Sequence, residues 1–237
     1  MDAIDVAFVL FPKVTQLDLT GPVQVLSRLG NVRIHLVSSS MDPVMTDAGF
    51  SINPTCTYSE CPQPNVVCVP GGAGADDAML DAVLIDWLRR SAPAADWITS
   101  VCTGSLVLGA AGLLKGKRAT SHWLSRDLLT QFDAIPVAQR VVFDGRVVTG
   151  GGVTAGIDFA LTLTAKIRGE EHAKLVQLAL EYDPQPPFCS GSPTGADVET
   201  VRRIRELTQK AQSERSAKVA AAAATLHPKA GWRLPTQ

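Results

Sequence analysis

The sequence has almost no net charge: 22 Lys and Arg stand against 23 Asp and Glu over 237 residues, a balance of −1. A chain with no basic field has nothing to draw in nucleic-acid phosphates or an anionic membrane surface, so neither is expected as a partner. Long apolar runs are lacking too. The longest uncharged one, residues 106–114, is too short to cross a bilayer. A secretory leader is not expected, because Met1, Asp2, Ala3, Ile4 and Asp5 supply two acids and no basic residue; a cytoplasmic protein follows. Metal-binding spacings are absent. Cys56, Cys61 and Cys68 do not form C-x2-C and no two of the four His sit close together, so no metal site is expected. Five Cys, an odd number in a chain large enough to need no covalent staples, read as reduced thiols. A phosphate cradle is excluded as well, since Asp76 and Asp77 rather than Lys follow Gly71-Gly72 and the dinucleotide glycine pattern is not met.

What is present is the pattern of an α/β protein. Residues 4–11 form a nearly continuous apolar run, suited to a strand buried on both faces of a parallel sheet. Further strands are expected at 33–37, 66–69 and 97–101, with hairpins at 44–52 and 141–148, the second turning at Asp144-Gly145. Helices are predicted from Pro22 to about residue 29, over 77–90, 105–111, 154–167 and 171–181. The second of these carries Met79, Leu80, Val83, Leu84, Trp87 and Leu88 on one stripe. Such alternation argues for a mostly parallel sheet with helices on both faces, a three-layer α/β/α sandwich occupying residues 1–193. A Pro-rich connector at 184–193 leads to one long helix over 197–225, a C-terminal extension (194–237) that packs on the same domain or on a second copy. Val198, Val201, Ile204 and Leu207 form its apolar stripe. Residues after Pro228 are expected to be loose.

The chemistry concentrates at Ser100-Val101-Cys102-Thr103-Gly104-Ser105, where a buried strand turns into a helix. Small residues two before and two after Cys102 are what so sharp a turn requires, as in the G-x-S-x-G elbow of hydrolases. The elbow lifts Cys102 to the carboxyl edge of the sheet and to the N–H groups of a helix N-terminus. Both should favour thiolate over thiol, drawing the pKa towards roughly 3.5–7.5. Cys56, Cys61, Cys68 and Cys189 read instead as small core hydrophobes. Gly71 and Gly72 end a strand at the same edge; their N–H groups either polarise a substrate or belong to a tight turn that needs positive φ.

Four segments, P-G-G at 70–72, S-V-C-T-G-S at 100–105, A-T-S-H-W at 119–123 and T-G-G-G-V-T-A-G at 149–156, together resemble the PfpI-like branch of the class I glutamine-amidotransferase-like superfamily. Within it, residues 11–22 and 100–120 are similar to the isocyanide hydratases. The resemblance implies a flavodoxin-like sandwich and a homodimer. It implies Cys102 as nucleophile and an acidic partner at Asp18, where many relatives carry the longer Glu. It also implies a backbone N–H from Val153 aimed at the thiolate, and His122 near the pocket. Thr103 stands where protease-like members have His, which removes the usual Cys-His partnership and makes peptide hydrolysis an unsuitable reaction.

The resemblance implies addition of water to a small isocyanide, giving an N-substituted formamide, and a Cys102 nucleophile with Asp18 as proton carrier suits that reaction without a cofactor. Rival readings are a glyoxalase or deglycase acting on reactive carbonyls, a sensor of oxidation at Cys102, and the ligand-sensing domain of an AraC-type regulator. The last would need helix-turn-helix units. No Gly or Pro interrupts residues 196–227, which reads as one continuous helix.

Overall fold

The computed structural model describes residues 3–226; the segment after Pro228 lies outside the described residues. In chain order the elements are β1 (Ile4–Val9), α1 (Gln16–Leu26), β2 (Val32–Ser38), the short β3 (Val44–Met45) and β4 (Ser51–Ile52), β5 (Cys56–Thr57), β6 (Val66–Val69), α2 (Ala75–Ala78) and α3 (Ala82–Ser91). They continue with β7 (Trp97–Val101), α4 (Gly104–Ala110), β8 (Arg118–Ala119), β9 (Ile135–Pro136), β10 (Val141–Asp144), β11 (Val147–Gly150), α5 (Ala155–Arg168), α6 (Glu170–Ala179) and α7 (Val198–Leu226). A 3-10 segment covers Arg126–Phe132.

The central sheet has seven strands in the order β10-β11-β7-β6-β1-β2-β5, all parallel except the β10–β11 hairpin at one edge. The apolar runs behave as their composition requires. β6 is buried at every position, and β1 at every position after Ile4. Such strands need cover on both faces. α1, α5 and α6 pack as one group, while α4 gathers α2, α3 and α7 in another, which completes the α/β/α sandwich. Phe8, Phe132 and Phe159 are the largest side chains wholly inside it.

Several boundaries differ from the sequence expectation, each for a local reason. α1 begins six residues before Pro22, at Gln16, so Thr20 does not cap it and Asp18 lies in its first turn. The helix predicted over 77–90 is two. Asp81 accepts from the N–H groups of Val83 and Leu84 and starts a second helix, leaving Leu80 and Val83 exposed rather than on a buried stripe. In α7 the predicted stripe faces outward: Val198 and Leu207 are exposed, and the buried face is Arg215, Val219, Ala222 and Ala223. Cys189, expected in the core, is exposed.

Candidate active site

Ladder register brings three strand ends together. Val69 of β6 pairs with Ser100 of β7, and Val101 of β7 with Gly150 of β11. The segments that leave these strands, 70–72, 102–103 and 151–153, therefore emerge side by side at the carboxyl edge, where open α/β sheets hold ligands.

Cys102 sits between β7 and α4 with φ of 57°, a left-handed conformation that costs a non-glycine residue energy and must be held by its surroundings. Four hydrogen bonds hold it. Its N–H donates to the carbonyls of Gly150 and Gly151 at 3.1 and 2.9 Å, and its own carbonyl accepts the hydroxyls of Ser105 and Ser121 at 3.1 and 3.0 Å. The tightness of the elbow shows at Gly104, where a Cβ would lie 2.0 Å from the carbonyl oxygen of Val69. Only glycine lets α4 cross β6 so closely.

Asp18 reaches the thiol from α1 and is fully buried. Its Oδ2 accepts the Gly71 N–H at 3.0 Å, while Oδ1 has no hydrogen-bond partner among the described residues. The groups acting on this carboxyl are Gly71, the Cys102 thiol and the charge of Asp47; none is a cation. Burial therefore dominates and pushes the Asp18 pKa up to about 7. Thr103, at the head of α4, uses its hydroxyl to accept the Gly72 N–H at 3.0 Å and to donate to the Gly72 carbonyl at 3.2 Å. A Cβ on Gly71 would fall within 2.6–2.8 Å of the Thr103 nitrogen, its hydroxyl and Asp18 Oδ2, so the three groups close around a residue that has no side chain.

Two sequence expectations change here. The Gly71 and Gly72 N–H groups donate to Asp18 and Thr103, and Gly72 has the positive φ (134°) of the tight-turn reading. The Cys102 thiol is not acidic on its own. The N–H groups of Thr103 and Val153 do pull its pKa down, as a helix terminus should. Burial outweighs them, with the Asp18 charge second, and the thiol is pushed up to about 12. Its residue is only 5% exposed. A neutral thiol beside an ionised carboxyl carries the same total charge as a thiolate beside a carboxylic acid. The thiolate is therefore reached by moving one proton within the pair, not by releasing one to solvent.

His122 lies at the rim. Its Nδ1 accepts the Leu124 N–H at 3.3 Å, and a Cβ on Gly152 would come 2.8 Å from its ring. Burial, then the charge of Arg215, lowers its pKa and favours the neutral ring. With Val153, Trp123 and Arg140 it lines a cleft of about 510 Å³ that does not itself include Cys102 or Asp18. The structure thus gathers Cys102, Asp18, Thr103, Gly72 and Val153 around one point and sets His122 beside it. Sequence reading missed Ser105 and Ser121, which grip the Cys102 carbonyl; Ser121 belonged to the A-T-S-H-W segment but had no chemical signal of its own.

The chain is similar to known proteins. An isonitrile hydratase from Pseudomonas putida is 54% identical over 204 residues, 86% of this chain and 90% of that one. The HTH-type transcriptional regulator CdhR of Pseudomonas aeruginosa is 31% identical over 75% of this chain, which spans only 54% of the regulator's length. Among solved structures, a ThiJ/PfpI family protein from Pseudomonas syringae superposes with a TM-score of 0.90 at 42% identity, over 92% of this chain and 91% of that one. A model of the DJ-1/PfpI family matches residues 5–166. The chain belongs to the DJ-1/PfpI family.

Proposed function

We propose that the chain is an isocyanide hydratase, with Cys102 as nucleophile and Asp18 as the group that gives and takes the proton. The observation that carries this reading is a fully buried carboxyl with no cation, one oxygen unpartnered, acting on a thiol held in strained backbone at the sheet edge. The 54% identity to an isonitrile hydratase supports the same substrate class.

An isocyanide, R–N≡C, presents a terminal carbon that accepts a soft nucleophile and needs a proton as negative charge builds on it. Asp18 takes the thiol proton as sulfur adds to that carbon, then returns it to the same carbon, leaving a thioimidate, R–N=CH–S–Cys102. The carboxylate next draws a proton from water; oxygen adds to the carbon and the proton passes to nitrogen. Collapse of this tetrahedral species expels the sulfur and releases R–NH–CHO. The balance is one isocyanide plus one water to one formamide, with no change of oxidation state at the protein, so the steps call for no redox cofactor. The N–H groups of Thr103 and Val153 stabilise sulfur when it carries charge. Thr103 and Gly72 keep the 70–72 turn against Asp18, and His122 shapes the rim.

The working form we propose is a homodimer in a reducing, cytoplasmic setting. Exposed Val198 and Leu207 on α7 and Leu175 and Leu178 on α6 are apolar surface that a second copy would cover. Light scattering coupled to gel filtration decides the oligomer. The activity test is direct. Purified protein is given an aryl isocyanide and, separately, methylglyoxal. Appearance of the formamide without loss of methylglyoxal supports hydration, whereas the reverse pattern assigns the site to carbonyl chemistry. α7 is a single uninterrupted helix from Val198 to Leu226, in which no helix-turn-helix forms.

A further inference from the structure

The terminal helix α7 lies wholly beyond residue 166, where the match to the family model ends. Its inner face nevertheless carries a charged residue. Arg215 is 9% exposed, and its guanidinium has two different partners. Nε donates to Asp76 Oδ1 at 2.6 Å, and Nη1 donates to Ser125 Oγ at 3.0 Å. A buried arginine costs desolvation and is retained only where its fork is well used, so the identity of these partners matters.

Each partner leads to a different wall of the Cys102 site. Asp76 belongs to α2, which begins directly after the 70–72 turn; the Ala75 N–H bonds back to the Gly72 carbonyl at 3.2 Å, and that turn holds both Asp18 and Thr103. Ser125 closes the turn that begins at Ser121: its N–H donates to the His122 carbonyl at 2.8 Å, and the Ser121 hydroxyl holds the Cys102 carbonyl at 3.0 Å. The same turn sets the His122 ring against Gly152, next to the Val153 N–H that acts on the thiol. Lys218, one turn further along α7, pairs with Asp77 and repeats the attachment to α2 at the surface.

We infer that Arg215 is a positioning residue for the Cys102 nucleophile, a two-pronged clamp by which the terminal helix fixes the 70–72 turn and the 121–125 turn relative to each other. This rests on the reading of Cys102 as nucleophile, and it assigns the C-terminal extension a part in the site. The planar fork is what permits two partners at fixed angles; a lysine keeps the charge and the Asp76 pair but cannot also hold Ser125 in the same geometry.

The test uses the full-length protein with Arg215→Lys, Ser125→Ala and, as a control on the same helix, Arg202→Ala, whose ion pairs with Glu199 and Glu206 lie on the surface. Three quantities are read: hydratase kcat, its KM, and the rate of alkylation of Cys102 by iodoacetamide as a function of pH. Arg215→Lys and Ser125→Ala should lower kcat at least about fivefold with little change in KM. They should also slow alkylation of Cys102 at every pH measured, with circular dichroism unchanged, while Arg202→Ala matches the wild type. If Arg215→Lys does not fold, Ser125→Ala decides alone. Folded variants with wild-type kcat and alkylation profile overturn the inference, as does a loss of activity that merely follows the fraction unfolded. Because alkylation reads the thiol without isocyanide, a wild type that hydrates no isocyanide would sink the proposed function while leaving this test intact.

Discussion

Two aspartates at opposite ends of the sheet show how one residue type is put to different uses. Asp5, in β1 near the amino edge, is 6% exposed, and Asp18, near the carboxyl edge, is not exposed at all. Asp5 is answered by a guanidinium and an imidazole. Arg33 grips it with two bonds of 2.8 and 2.6 Å and His35 approaches at 2.7 Å, so hydrogen bonding to Arg33 holds its pKa below the usual carboxylate range. Asp18 is answered by one backbone N–H and a thiol, and burial drives its pKa the other way, to about 7. A carboxyl whose charge is met by a guanidinium ties strands together. One that has been left uncompensated beside a thiol can exchange a proton near neutral pH, at a cost in stability that the rest of the core must offset.

The sharpest break in this comparison comes from the thiol. Cys102→Ala should remove at least about 10⁴-fold of kcat, in line with deletion of a nucleophile, while the melting temperature stays within a few degrees; isocyanide turnover by the alanine variant shows whether it holds. Asp18→Asn should lower kcat by roughly 10²–10⁴-fold through loss of proton transfer. It should also raise stability at pH 8 by roughly 2–4 kcal/mol, because the wild type must bury a charge there; urea unfolding at pH 5 and pH 8 measures it. The signs follow from the direction of each shift. The native state keeps a proton on Asp18 between about pH 4 and pH 7 that the unfolded chain has lost, so stability falls as pH rises through that window. For Asp5 the native pKa is lower than the unfolded one, so its contribution is present above the ordinary carboxylate range and is lost as pH falls below it. Asp5→Asn should therefore cost about 1–3 kcal/mol at pH 7 and leave kcat unchanged. Thr103→Val strands the Gly72 N–H and carbonyl and should cost a similar amount, but with a fall in kcat that Asp5→Asn lacks. If Asp5→Asn reduced turnover as much as Thr103→Val, the separation between the two ends of the sheet would fail.

The features legible in the sequence were those that local pattern dictates. Val66–Val69 announced itself because a strand buried on both faces is apolar throughout, and Cys102 because only small neighbours fit the elbow. Local pattern misled where tertiary packing decides. Pro22 looked like a helix start, yet it lies in the second turn of α1, where its ring packs against Gly156 of α5. The cap at Asp81 was readable but overridden by an apolar stripe that seemed to run through it. α7 hid its inner face because alanines and one arginine give no amphipathic signal, while the visible apolar stripe points outward. The acidity of Cys102 was misjudged for a related reason: the helix N-terminus can be read from sequence, but burial to 5% exposure cannot.

The central claim is that sulfur of Cys102 bonds to the isocyanide carbon while Asp18 carries the proton. Acid quenching during turnover, followed by proteolysis and mass spectrometry, tests it directly. The account predicts an added mass equal to one isocyanide on the peptide that contains Cys102, absent from the alanine variant and accumulating when Asp18 is replaced by Asn only if proton delivery to carbon still occurs from solvent. Steady formamide production by Cys102→Ala, with no modified peptide in the wild type, would contradict it.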